Sequence, residues 1–164
     1  MKTPGIVVSA TILLATVAYF TYPLLASEDT RIRWMLEDST SSFNSTYLAG
    51  CLEGFAEDYR DESFPELDRD LLRRALQVVF LREVDGQTKE FQTRVLLPEE
   101  NLQILVGDTE DQATAEFRLY LEQRTGEEWK PKWELQVTAK LGVVDGNWRI
   151  RSSSHQTLNG ARPW

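Results

Sequence analysis

The sequence predicts an α+β fold, with N-terminal helices packed on an antiparallel sheet, and three observations predict it. Apolar residues recur at steps of three and four from Glu28 to Arg82, the period of a helix with one covered face. From Phe91 to Thr157 the period changes to two, as in strands that have one face buried and one wet. Ahead of both, the run from Thr3 to Ser27 carries no charged side chain.

An uncharged stretch of that length is costly to solvate, so one hydrophobic helix over residues 1–26 is expected to enter a membrane, as a cleaved export signal or a retained anchor. Ile6 to Ala18 is almost wholly aliphatic, and the apolar run as a whole is longer than the usual signal core of about 7–15 residues. Leu24 is also a poor match to a small-residue cleavage site before Ser27. The anchor is therefore the favoured reading, with membrane contact through residues 5–26. Lys2 keeps the N-terminus inside and delivers the rest to the periplasmic or exterior side. A single domain follows over residues 27–157, then a turn-rich tail, 158–164.

The first helix starts at Glu28, and the apolar face runs through Ile32, Met35, Leu36, Phe43, Tyr47, Leu48, Cys51, Leu52, Phe55 and Tyr59. Asn44-Ser45-Thr46 interrupts it, and Ser45 or Thr46 is placed to cap a second, short helix that Gly50 and Gly54 weaken. Asp68 caps a third, Arg69 to Arg82, with a face of Leu71, Leu72, Ala75, Leu76, Val79 and Phe80. Strands follow over Phe91–Leu97, closed by Pro98, and over Leu102–Val106. A long strand turns Ala113, Ala115, Phe117, Leu119 and Leu121 inward. The next turns Trp133, Leu135, Val137, Ala139, Leu141 and Val143 inward. Asp145-Gly146 is the strongest hairpin signal and leads into a last strand, Trp148 to Thr157.

A formal charge of −8, of which residues 1–26 hold only Lys2, excludes nucleic acid as a natural partner because such a surface repels phosphate. One cysteine, Cys51, allows no internal disulfide, and its apolar neighbours point to a buried, inert thiol. One histidine and one cysteine supply no ligand set for a metal, and no cofactor is called for. Asn44-Ser45-Thr46 has the form of a glycosylation sequon.

The order helix, short helix, Phe55-Ala56-Glu57-Asp58-Tyr59, helix, then long strands joined by Val144-Asp145-Gly146-Asn147-Trp148 resembles the nuclear transport factor 2-like superfamily, which includes polyketide-cyclase-like and ketosteroid-isomerase-like proteins. The resemblance implies a curved sheet wrapped round a helix as a half-open cone, and a dimer through the outer sheet face. It does not fix activity. It places the isomerase base at Ser63 and the isomerase tyrosine near Ser39, neither able to serve, with Asp61 or Glu62 one or two residues away.

Two functions compete. The first is a membrane-tethered, non-enzymatic module binding a protein partner or a second copy through the outer stripe Arg118, Tyr120, Gln136, Thr138 and Arg151, with His155 on the same outer face by simple alternation from Trp148. The second is a small-molecule pocket, for an isomerase-, cyclase- or dehydratase-like enzyme or a carrier of apolar ligands. Its candidates are Asp58, Tyr59, Asp61, Ala115, Trp133, Ala139, Trp148 and Ser152, and it predicts an open cavity lined by Ala115, Ala139 and Ser152 with at least one buried acid. The residues favour the first.

Overall fold

A computed structural model describes residues 26–109 and 111–161. The expected membrane segment falls, apart from its last residue, outside the described residues. Within them, no helix is long and apolar enough to cross a membrane. In chain order the described elements are α1 (Glu28–Asn44), α2 (Leu48–Glu53), β1 (Phe55–Asp61), α3 (Arg69–Arg82), β2 (Thr93–Leu96), a 3-10 turn (Glu99–Asn101), β3 (Gln103–Val106), β4 (Gln112–Thr125), β5 (Glu128–Val144) and β6 (Asn147–Gly160).

The strands form one curved, unclosed sheet in the order β1-β6-β5-β4-β2, with β3 also paired to β4. Helices α1 and α3 begin as their sequences require. Ser27 and Asp68 each turn a side-chain oxygen back onto a first-turn N–H, those of Thr30 and Leu71, and acidic residues follow in both first turns. The hairpin at Asp145-Gly146 has positive φ at both residues, the turn whose twist matches its flanking strands. Ile32 and Leu36 of α1 pack in one core with Ala113, Ala115 and Phe117 of β4, Val137, Ala139 and Leu141 of β5, and Trp148 and Ile150 of β6. Asn44, at the end of α1, clamps the edge strand. Its amide nitrogen donates to the Val95 carbonyl at 2.9 Å, and its oxygen accepts the Val95 N–H at 2.7 Å.

Five differences from the sequence reading have identifiable causes. Residues 55–61 are a strand, and it runs parallel to β6, so the sheet is mixed rather than wholly antiparallel. A register shift between Phe55 and Arg60 leaves Glu57 and Asp58 exposed side by side, and the resulting three-residue step from Ala56 to Tyr59 imitates a helix. The short helix α2 is capped by neither Ser45 nor Thr46. Ser45 donates its hydroxyl back to the carbonyls of Ser41 and Ser42, and Thr46 takes a positive φ. On α3 the buried face is narrower than expected, because Leu71 and Ala75 are exposed. The strand β6 continues through Gly160, so the first residues assigned to the tail pair with β5, Asn159 with Glu134 and Gly160 with Trp133.

The fifth difference governs the chemistry. In the β5–β6 ladder Lys140 pairs with Ser152 but Leu141 pairs with Ile150, so Arg151 is an extra residue. Arg151 and Ser152 both point outward, and the side chains from Ser153 to Thr157 change face. A second extra residue, Leu158, between the Leu135–Thr157 and Glu134–Asn159 pairs then restores the original phase.

Candidate functional site

Beyond the bulge, Ser153 lies opposite Ala139 and His155 opposite Val137, both on the covered face. On the other side of β6, Asp61 of β1 is the direct partner of Ser153. Tyr59, two residues earlier, shares the face with Asp61. The bulge therefore gathers Tyr59, Asp61, Ser153 and His155 from two strands far apart in sequence.

Asp61 is a buried carboxylate, 3 % exposed. Its Oδ1 accepts the backbone N–H groups of Ser63 and Phe64, each at 2.8 Å. Its Oδ2 accepts from the Ser153 hydroxyl at 3.3 Å and the Tyr59 hydroxyl at 3.4 Å. The Tyr59 and Ser153 hydroxyls are themselves 2.8 Å apart. Burial pushes the Tyr59 phenol up to about 12; the Ser153 hydrogen bond opposes that rise and the Asp61 charge adds to it. Tyr59 is thus a neutral hydrogen-bonding group at ordinary pH, held by an edge-on contact with the Phe55 ring at 4.8 Å.

The His155 Nδ1 lies 3.6 Å from Asp61 Oδ2, within ion-pair range and slightly beyond a hydrogen bond. Its ring is flanked by Phe64, 5.5 Å between centroids and tilted by 34°, and by Trp133 at 6.2 Å and 87°. Trp133 is fixed in turn by donating its indole N–H to the Thr157 hydroxyl at 3.0 Å. Phe64 is half exposed, so this end of the cluster reaches solvent. The imidazole Nε2 makes no hydrogen bond among the described residues. A carboxylate beside Nδ1 and an Nε2 not engaged by another group are two requirements for an imidazole base.

The other predicted residues fall elsewhere. Ala115 and Ala139 face each other across β4 and β5 at 0 % exposure and fill the core rather than line a cavity. Asp58 is on the outside, 2.9 Å from Arg151. Ser152 also faces out and donates its hydroxyl to Glu62 at 2.7 Å, which in turn takes Lys140 at 2.8 Å. Trp148 is buried and donates to Glu28. Arg118, Tyr120, Gln136 and Thr138 do share the outer sheet face, in the register Arg118 to Gln136, Tyr120 to Glu134 and Glu116 to Thr138. His155 does not join them. Ser39, near the isomerase tyrosine position, bonds the Met35 carbonyl on α1, outside the cluster. Cys51 is buried, and burial pushes its thiol up to about 11, which makes it inert.

Two open grooves lie away from the cluster. One, of about 670 Å³, borders Ser152, Arg151 and Lys140. The other, of about 900 Å³, runs along α1 past Trp34, Tyr47 and Trp148. The cations on the first, Arg151 and Lys140, are spent on Asp58 and Glu62, and among the described residues neither groove is lined by a buried titratable side chain. These two grooves and the concentrated chemistry therefore do not coincide, and the chemistry marks the candidate site. Among the described residues no group of three His, Cys, Asp or Glu is placed to hold a metal.

No protein-family model and no curated protein matches the sequence. Solved structures do match the fold. A protein of unknown function with a cystatin-like fold from Nostoc punctiforme superposes with a TM-score of 0.61 at 16% identity, covering 82% of this chain and 93% of that one. A nuclear transport factor 2-like protein with a cystatin-like fold from Novosphingobium aromaticivorans gives 0.63 at 15% identity, covering 92% and 91%. A candidate scytalone dehydratase from the same organism gives 0.63 at 18% identity, covering 80% and 85%. At these identities the likeness establishes the fold alone: helices against a curved, unclosed mixed sheet of the cystatin-like, nuclear transport factor 2-like kind.

Proposed function

We propose that this domain binds a small neutral molecule at the open end of its cone and moves a proton there, with His155 as base and Asp61 behind it. The bulge at Arg151 is the observation that carries this reading, because it brings the lone histidine onto a buried carboxylate. The pocket hypothesis asked for an open cavity lined by Ala115, Ala139 and Ser152 and for a buried acid: Asp61 meets the second, while the two alanines fill the core and Ser152 faces out. Nε2 takes a proton from a carbon next to a carbonyl, and the C–H electron pair moves into the enolate. Asp61 holds the ring with Nε2 outward and balances the charge of the imidazolium. If the substrate carries a hydroxyl one carbon further, the same pair expels it, and the imidazolium returns the proton to the departing oxygen as water. Elimination of that kind fits the dehydratase name borne by one structural neighbour. The aromatic rings of Phe64 and Trp133 favour a flat, apolar ligand.

The uncharged run of residues 3–27 supports delivery of this domain to the far side of a membrane, and the outer stripe Arg118, Tyr120, Gln136 and Thr138 is the surface proposed for a second copy. The site is tested by adding a panel of neutral cyclic ketones and phenols while following the ring signals of His155 by NMR. The expected result is saturable movement of those signals by at least one compound, lost in Asp61→Asn. Compounds that stabilise the protein without ever moving His155 would remove the reading.

A further inference from the structure

We infer that Ser63 is a positioning residue for the Asp61–His155 pair, an inference that rests on the reading of that pair as the working site. Asp61 ends β1, so β6 has lost its strand neighbour on that side by the time it reaches His155. The loop supplies the missing partner. The Ser63 hydroxyl accepts the His155 N–H at 2.9 Å and donates to the His155 carbonyl at 3.3 Å. One side chain thus does for His155 what a paired strand residue would, satisfying both backbone groups. The Ser63 N–H meanwhile donates to Asp61 Oδ1 at 2.8 Å. The same residue therefore holds the backbone of the histidine and the carboxylate that faces its ring.

Two further contacts keep the loop in place. The Glu62 N–H donates to the Ser153 carbonyl at 2.6 Å, and the Glu62 side chain reaches Lys140 on the outer face. Phe64 follows directly and lies against the imidazole. The spacing of Asp61, Ser63 and Phe64 is what lets one short loop fix the acid, the base and one wall of the opening.

The chain has a single histidine, so its ring nitrogens can be read in the intact protein without assignment. The experiment is a long-range ¹H–¹⁵N spectrum of the full chain labelled at histidine, at about pH 9, where a histidine ring is ordinarily neutral. Wild type is expected to hold its proton on Nδ1, facing Asp61. In Ser63→Ala the ratio of the Nδ1–H to the Nε2–H form is expected to fall about fivefold, the change that one lost net hydrogen bond produces. Ser63→Thr, which keeps the hydroxyl, should restore it. A merely structural serine would lower the urea midpoint in Ser63→Ala and leave the tautomer ratio where it was, and that result overturns the inference. A wild-type ring already protonated at Nε2 and indifferent to Asp61→Asn overturns the underlying pair as well, so the two failures are distinct.

Discussion

Replacing Asp61 by alanine separates a carboxylate that organises the site from one that merely occupies it. The side chain is 3 % exposed and accepts two backbone N–H bonds at 2.8 Å from the exposed loop residues Ser63 and Phe64. A hydrogen bond to a charged group contributes roughly 1.5–3 kcal/mol, and the lower figure applies to each here because the loop N–H groups can turn to water. The two longer contacts, from the Ser153 and Tyr59 hydroxyls, add little, since those hydroxyls keep each other at 2.8 Å. Asp61→Ala should therefore destabilise the domain by about 3 kcal/mol. With a urea slope of about 2 kcal/mol per molar for a domain of this size, the midpoint drops by ~1.5 M. Asp61→Asn keeps one acceptor for the loop and offers its amide to the two hydroxyls, so it should cost only about 1 kcal/mol. Urea melts followed by tryptophan fluorescence, with Trp148 buried as the reporter, measure both. An Asp61→Ala midpoint within ~0.3 M of wild type would show that the loop does not depend on the carboxylate.

Three more outcomes are expected. Ala139→Leu, at a fully buried position against Ala115, should overpack the core and cost about 1–3 kcal/mol by the same melts; a neutral result would reveal a cavity where a filled core is described. Asn44→Ala removes both bonds to Val95 and should cost about 1–2 kcal/mol, with faster hydrogen exchange at the Val95 amide; unchanged protection there would dismiss the clamp. Tyr59 has its folded pKa raised to about 12 from an ordinary 10, so its contribution to stability is complete below pH 10 and is lost as pH rises from 10 toward 12. Tyr59→Phe should flatten that alkaline loss by roughly 2–3 kcal/mol, and an unchanged slope would contradict the burial of the phenol.

Much of the fold is legible in the residues. Period-two alternation in β4 and β5 placed Ala113 to Leu121 and Val137 to Leu141 on the covered face, where the structure has them. Asp68 and Arg82 bound the third helix as read, because a side-chain cap and a helical stripe are local properties. The candidate site was less legible, since it depends on two irregularities that side-chain type does not encode. Around Arg151 the sequence Arg-Ser-Ser-Ser-His has no apolar residue to declare its phase, so simple alternation sent His155 outward. The partner strand holds one clue, Gly142. A Cβ there would meet the Arg151 side chain at 2.5 Å, which marks where the bulged arginine crosses the sheet. Tyr59 and Asp61 were picked out as pocket residues, but Ser153, Ser63 and Phe64 acquire meaning only once β1 is a strand beside β6. That pairing is parallel and joins segments about ninety residues apart, so no local signal announces it.

The most direct check on the site is the set of through-space contacts from the ring protons of His155. Contacts to the rings of Phe64 and Trp133, with none to the outer-face side chains Gln136 or Thr138 of β5, are expected if the bulge turns the imidazole inward. A ring in contact with Gln136 or Thr138 but with neither aromatic would return His155 to the outer face and leave Asp61 without its partner.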